Sequence, residues 1–570
     1  MSELVVLLLV LPLVGAVLSG LGRYVRRFPL AEVSAVTTLC ACLALLAPLA
    51  PSAFGGGGPL VYELGNWSEP VGIALYLDPL AWTSSLVGMF VALCALLFAV
   101  SEREHEPRFY FFYLLLVLGM EGVVLTGDLF NLFVFLEILS IASYILIASA
   151  GRPRALLGSF RYLMIGSLGV AFFLLGIFLF YQATGSLSLR LMAEAIRSTR
   201  RARGSADWQR LQLAVVCLTT GAGVKAAFVP FHTWLPDAHA TAPHPVSAVL
   251  SGVMIKISFL VVWRMLVLFS AGELQRVLLW AGAVTAVFGV VAAIAQTDGK
   301  RLLAFHSVSQ MGYIVAAFGA GSAVALGASL YHLVNHSLFK SLLFLSLGAV
   351  IHATGEGDIG RLRRLGGLAG RLPGVFALFL VGALSIAGVP PFNGYVSKGL
   401  VTAGLHSWPA AYILILLAGA GTVASFLKLS GIFWARKPAG PPAGTEPASG
   451  GKLQVPRGML VPMSLLAFLC LLTGLLSGVV GPALSRVALG YRGAQVFPTG
   501  EGSFSLYSLP HLAELAGTLA VGIGIYFLAT KTRAGERFLA RVRNLRTGLN
   551  TALALLVLGL VALVLLTWLL

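Results

Sequence analysis

The sequence predicts an all-α polytopic membrane protein of about sixteen spanning helices. Three observations carry that prediction. Apolar runs long enough to cross a bilayer recur from end to end. Of 570 residues, 58% are hydrophobic and only 11% charged, whereas soluble domains carry about 25% charged residues. No polar stretch is long enough to be a soluble catalytic domain. The net charge of +17 does not point to nucleic acid, because the Lys and Arg fall mostly in loops between apolar runs. Cys40, Cys42, Cys94, Cys217 and Cys470 lie in apolar segments without a C-x-x-C pair, which argues against a disulfide framework or an iron–sulfur site.

The first run, 3–22, carries Glu3 and no basic leader, so it reads as a spanning helix rather than a cleaved signal. Similar apolar runs place spans at 30–50, 77–100, 109–126, 129–150 and 156–181. The seventh span, 211–229, ends in a proline-broken stretch with Pro230 and Pro236, and Pro243 and Pro245 punctuate the approach to the eighth, 246–269. Spans at 276–296, 302–320 and 326–352 follow, then a second broken one at 374–404, and then 410–434. Three more, 459–479, 509–530 and 547–569, close the chain. Gly55 to Gly58 and the Pro/Gly run 436–452 read as connectors.

Loop charge orients the bundle. Arg23, Arg26 and Arg27, then Arg103 and Arg108, Arg152 and Arg154, Lys300 and Arg301, Arg361 to Arg371, Arg436 to Arg457 and Lys531 to Arg546 all follow odd-numbered spans. Those loops are expected in the cytoplasm, with both termini outside. One loop breaks the rule: Arg190, Arg197, Arg200, Arg201, Arg203 and Arg210 follow the sixth span. That loop reads either as a solvated or head-group face or as a docking surface for a partner, and a miscounted span is a third explanation.

A proline inside a helix removes a backbone bond and clashes with the previous turn. In a membrane such a break is tolerated only where protein or a wet cavity covers it. Two breaks occur, KAAFVPFHTWLP (225–236) and SIAGVPPFNGYVSK (385–398), five spans apart. An odd offset inverts the second copy, and inverted broken helices point to a transport site.

An ionised side chain at mid-membrane costs about 2.5–3.5 kcal/mol on insertion scales, yet this chain keeps several. They are Glu137, Lys225, Lys256, His332, His336, Lys340, Lys398 and Lys428. Glu137 reads either as a carboxylate satisfied by Ser140 or Ser143 or as the ion-pair partner of Lys225. A free lysine, with a pKa of ~10.4, does not release protons at neutral pH. Desolvation favours the neutral amine and a nearby carboxylate favours the ammonium, so modulating the carboxylate switches a lysine between holding and releasing a proton. His332, His336 and Lys340 share one helix face. The histidines suit a proton relay, a hydrogen-bonded core, or a metal pair, although no third ligand stands nearby. His306 suits a relay entrance or a helix cap. His232 and Asp237 suit a gate or a hydrogen-bond cluster, and His239 and His244 a structural one. Lys398 follows the second break and reads as functional. Lys428 reads equally as a carrier or as a snorkelling lysine, and Asp128 as a helix cap. GAGVK (221–225) lacks the G-K-[ST] ending of a phosphate loop. No dinucleotide, haem or flavin signature appears, so no cofactor, no resident metal and no redox chemistry within the chain are expected.

Taken together, LTGDLFNLFVFLEILSIASYILI, KAAFVPFHTWLPDAHATAPHPVSAVLSGVMIKI, HSVSQMGYI, YHLVNHSLFKSLLFLSLGAV and LSIAGVPPFNGYVSK resemble the antiporter-like proton-pumping family. That family comprises large membrane subunits of respiratory complex I, of membrane-bound hydrogenases and of Mrp-type sodium/proton antiporters. GDLFNLFVFLE looks most like the D subunit of the Mrp type. The resemblance implies a fourteen-helix core with two inverted five-helix repeats. The expected division is an N-terminal segment at 1–108, repeats at 109–270 and 271–435, a linker at 436–458 and C-terminal helices at 459–570. It also implies Glu137 and Lys225 as the coupling pair, Lys256 as the next carrier, His332 and His336 as the central relay and Lys398 as the terminal lysine. Its partners would be other membrane subunits, protons, Na+ and the bilayer of a prokaryotic plasma membrane. A hydrogenase or quinone-oxidoreductase subunit and a non-transporting scaffold are the rival readings. Residues 509–570 depart from the family core by two added helices joined by a short basic segment.

Overall fold

A computed structural model describes residues 1–25, 28–55, 58–69, 71–199, 205–269, 272–435, 453–490, 509–544 and 548–569. The linker 436–452 and Arg26, Arg27, Arg200, Arg201, Arg203 and Arg546 therefore lie outside the described residues.

Two N-terminal helices, α1 (Glu3–Leu21) and α2 (Leu30–Phe54), pack together and lead into a hairpin of β1 (Leu60–Glu63) and β2 (Ala74–Leu77). Next come α3 (Pro79–Glu102), α4 (Pro107–Leu125), α5 (Leu129–Ala148) and α6 (Pro153–Thr184). A short helix, α7 (Leu189–Thr199), precedes the first broken span, α8 (Ala206–Ala226) and α9 (Leu235–Thr241). After it, α10 (His244–Phe269) is buried through its apolar length, beside α11 (Gly272–Ala295), α12 (Gly299–Ala320) and α13 (Ala323–Thr354). A short helix of about two turns, α14 (Ile359–Leu365), precedes the second broken span, α15 (Pro373–Ala387) and α16 (Asn393–Gly404). Then follow α17 (Pro409–Trp434), α18 (Arg457–Leu475), α19 (Ser477–Gly490), α20 (Leu509–Lys531), α21 (Arg533–Asn544) and α22 (Leu549–Leu569).

Among the described residues, thirteen helices are long and apolar enough to cross a membrane. The three expected spans missing from that count are the two broken ones and the last, whose axis turns 84° from α21. The chain is thus a polytopic helical membrane protein. The expected fourteenth span, 459–479, is instead divided at Leu476 into α18 and α19.

The basic loop after α6 is not a miscounted span. The helix among its described residues is α7, whose eleven residues reach only ~16 Å. Arg190 pairs at 2.8 Å with Glu69 of the hairpin loop, and Arg210 with Asp207 at 2.9 Å.

The same local construction appears twice. Asp128 caps α5 by accepting from Asn131 N, and Leu129 N donates to Leu187 O, just beyond α6. Asp298 caps α12 by accepting from Arg301 N, while Ile359 N, just beyond α13, donates to Thr297 O just ahead of α12. Thr184 and Thr354 close the same turn, each accepting from the backbone two residues on. Five spans separate the two stitches, so they lie on opposite faces of the bundle. Between α11 and α12 the contact is made by small residues. A Cβ on Gly282, Gly289, Gly312 or Gly319 would collide with the partner's backbone, which is the close approach that replaces hydrophobic drive in a membrane.

Candidate functional site

The cap at Asp128 starts α5, and Glu137 follows about two and a half turns later. Lys225 occupies the last turn of α8, which stops where Ala227 turns left-handed ahead of Pro230. The two meet: Lys225 Nζ lies 3.6 Å from Glu137 Oε1, an ion pair longer than a hydrogen bond. Lys225 is 2% exposed and also donates to Ser140 Oγ. The serines do not serve the carboxylate. Ser140 donates to Leu136 O, and Ser143 to Leu139 O and Met254 Sδ. Glu137 is therefore left to its lysine on one side. The other side is open, its side chain being 33% exposed.

Lys256 stands in α10 just after a π turn at Leu250–Met254, and its amine donates to the carbonyl of Ser251. The sequence carries no sign of this turn, a feature that recurs at functional sites. Ser251 in turn shares a 2.6 Å hydrogen bond with Ser307 of α12. His332 is held from both sides, Nδ1 by Ser397 Oγ at 2.9 Å and Nε2 by Gln310 Oε1 at 3.1 Å. His336 stacks near-parallel with it at 6.1 Å, and neither ring nitrogen has a hydrogen-bond partner among the described residues. Lys340, one further turn along α13, is fully buried, and its amine makes no hydrogen bond among the described residues. Lys398 donates to Ile386 O at 2.6 Å and lies over the Tyr313 ring. His336 is within electrostatic range of Lys256, Lys340, His332 and Lys398 at once.

Several expectations need correction. His306 is not a cap: α12 starts at Gly299, Asp298 caps it, and His306 lies two turns inside, bonded to Ser425 Oγ at 2.5 Å. His239 belongs to no structural hydrogen-bond cluster. It is fully buried, both ring nitrogens lack hydrogen-bond partners among the described residues, and it is within range of Lys256, Lys300 and Lys340. Lys300 is not a loop charge. It is buried in the first turn of α12 and donates to Ala242 O. His232 lies apart, against Phe288. Lys428 donates to Ile294 O and Gln296 O at 2.6 Å each, capping the carboxyl end of α11. Buried Glu121 of α4, bonded to Ser85 Oγ at 2.6 Å, is not signalled by the sequence. Its GMEGVVL setting looks like ordinary apolar helix.

Asp237 ties the first break to both sides of the bundle. Its oxygens accept from Arg161 of α6 at 2.5 Å and Arg301 of α12 at 2.7 Å. Asp237→Asn removes the charge from both bonds, leaving two partly exposed guanidiniums. The expected loss is about 2 kcal/mol, seen as a lower thermal midpoint of the detergent-solubilised complex. An unchanged midpoint would mean that the clamp carries no net stability.

The arrangement brings Lys256, His239, His336, His332, Lys340 and Lys398 into one buried polar region drawn from α9, α10, α13 and α16, while Glu137 and Lys225 pair between α5 and α8. Lys428, His232 and the Asp237 clamp lie outside it. Among the described residues, no three His, Cys, Asp or Glu side chains are placed to hold a metal ion. Amines and imidazoles in sequence can pass protons.

The profile of the NADH:quinone oxidoreductase/Mrp antiporter transmembrane family matches residues 126–427. The chain is 35% identical over 453 residues to the N subunit of the NADH-quinone oxidoreductase of Desulforudis audaxviator, covering 76% of this chain and 88% of that protein. It is 32% identical over 437 residues to the D subunit of the Na(+)/H(+) antiporter of Alkalihalophilus pseudofirmus, covering 75% and 86%. A chain in the structure of the Mrp complex from a Dietzia species superposes with a TM-score of 0.76 at 26% identity, covering 86% of this chain and 98% of that one. With its two broken spans and this buried row of amines and imidazoles, the chain belongs to the NADH:quinone oxidoreductase/Mrp antiporter transmembrane family and is an antiporter-like subunit of a multisubunit membrane complex.

Proposed function

We propose that this subunit translocates protons along the buried row, within an Mrp-type complex that exchanges them for Na+. The observation that supports it most is the Glu137–Lys225 pair, 3.6 Å apart, beside which the other buried amines have no acid partner among the described residues. Strengthening or weakening that pair changes how firmly Lys225 holds its proton. Lys256, His336, His332, Lys340 and Lys398 then carry it onward, with His306 and His239 alongside. In this reading the basic loops face the cytoplasm of a prokaryotic plasma membrane, both termini face out, and lipid and neighbouring subunits cover the apolar flanks. The repeats run over 109–270 and 271–435, flanked by the N-terminal segment at 1–108 and the C-terminal helices at 459–570.

Glu137→Gln keeps the shape of the side chain and removes its charge. The expected outcome is a loss of proton flux of about tenfold or more in vesicles holding the whole complex, with assembly intact. Retained flux would remove the pair from the mechanism; lost assembly would favour a scaffold role. A second reading, membership of a redox-driven complex, is favoured by the 35% identity to an NADH-quinone oxidoreductase protein. Under that reading, flux appears only when an electron donor is supplied.

A further inference from the structure

Lys398 differs from Lys225 in one respect. Among the described residues, none of its own bundle's acids pairs with it; its amine has only the Ile386 carbonyl and the Tyr313 ring. It does line a cavity of about 60 Å³ where α12, α15, α16 and α17 meet. The remaining wall is α20, a helix beyond the expected fourteen-helix core, which contributes His511, Glu514 and Thr518. Glu514 is the one acid on α20, and it stands about one and a half turns from the start of a helix apolar enough to span. Such a charge is costly unless it has a partner or a task. Tyr412 of α17 accounts for one oxygen, donating at 2.8 Å, and the side chain faces the cavity. The lining is mostly apolar, with Lys398, Glu514, His511 and Thr518 among its polar groups, and a space of this size admits several waters that those groups can hold.

We propose that Glu514 is the carboxylate that takes the proton from Lys398 across this cavity, so that α20 is a working wall of the proton path. The step balances simply. The Lys398 ammonium gives a proton through water to the Glu514 carboxylate, leaving a neutral amine and a carboxylic acid. The acid then releases the proton to solvent and returns to carboxylate. The added helix thus supplies, in the same chain, an acid for the lysine of the second break, here as a proton acceptor across water rather than as a direct ion-pair partner. This rests on the proton-translocation reading above.

The test measures proton flux in vesicles holding the whole complex, for wild type, Lys398→Ala, Glu514→Gln, Glu514→Asp and Thr518→Phe. Glutamine can still accept from Tyr412, so packing is preserved. The expected result is a loss of about tenfold or more for Glu514→Gln and recovery of most flux for Glu514→Asp. Thr518→Phe, which fills the cavity and leaves the acid in place, is expected to lose flux as well. If Lys398→Ala abolishes flux while Glu514→Gln or Thr518→Phe stays within about twofold of wild type, this assignment is overturned and the translocation reading stands. An aspartate as inactive as the glutamine overturns it too, because only packing would then be at stake. If wild type itself moves no protons, the broader reading fails and takes this one with it.

Discussion

Lys225→Ala is expected to lower proton flux by about a hundredfold, equivalent to ~2.7 kcal/mol on the transport barrier, in a complex that still assembles. Lys225 is the amine that Glu137 reaches, and alanine leaves no group there that can hold a proton. The cavity left by the side chain lies at the end of α8, next to a break already accommodated by packing, so folding survives. Lys225→Arg separates charge from proton exchange. Arginine preserves the ion pair but does not release its proton in the working pH range. It is therefore expected to assemble as well as wild type and to transport as poorly as alanine. Proton flux in vesicles, with subunit content checked by gel filtration, reads both. Wild-type transport by Lys225→Arg would show that the pair serves structure alone.

Lys340→Met is expected to move stability and function in opposite directions. The amine is fully buried beside Phe344 and makes no hydrogen bond among the described residues. An unsatisfied buried polar group costs about 1–3 kcal/mol by mutational measures. Methionine fills much the same space without that cost, so the thermal midpoint of the complex should rise by a few degrees. Flux should fall by about tenfold or more, because the row loses the amine one turn beyond His336. A midpoint that falls would mean that Lys340 is better satisfied than its surroundings indicate. A rise without loss of flux would take Lys340 off the path.

The sequence and the structure agree most closely where one rule suffices. About twenty consecutive apolar residues mark a span, and the expected ranges for α4, α5, α12 and α17 fall within a few residues of the helices found. Prolines mark both breaks. The meeting of Glu137 and Lys225 is legible because unpaired charges are too costly to leave alone in a membrane. What sequence does not supply is which side chains share a space. His239 reads as structural because its neighbours in sequence are turn residues, yet its neighbours in space are lysines from three other helices. Lys300 reads as a loop charge because it adjoins Arg301, yet it folds inward to the Ala242 carbonyl. The π turn at Leu250–Met254 has no residue signature of its own. Glu514 sits far along the chain in what reads as a peripheral helix, and only the packing of α20 on α17 brings it to the cavity of Lys398.

The most direct measurement of the central claim is sodium-driven proton movement in inverted vesicles holding the whole complex, without any redox donor, for wild type and Lys225→Ala. The account predicts that wild type exchanges the two ions and that Lys225→Ala does not. Proton movement that requires an electron donor, or that survives in Lys225→Ala, would contradict it.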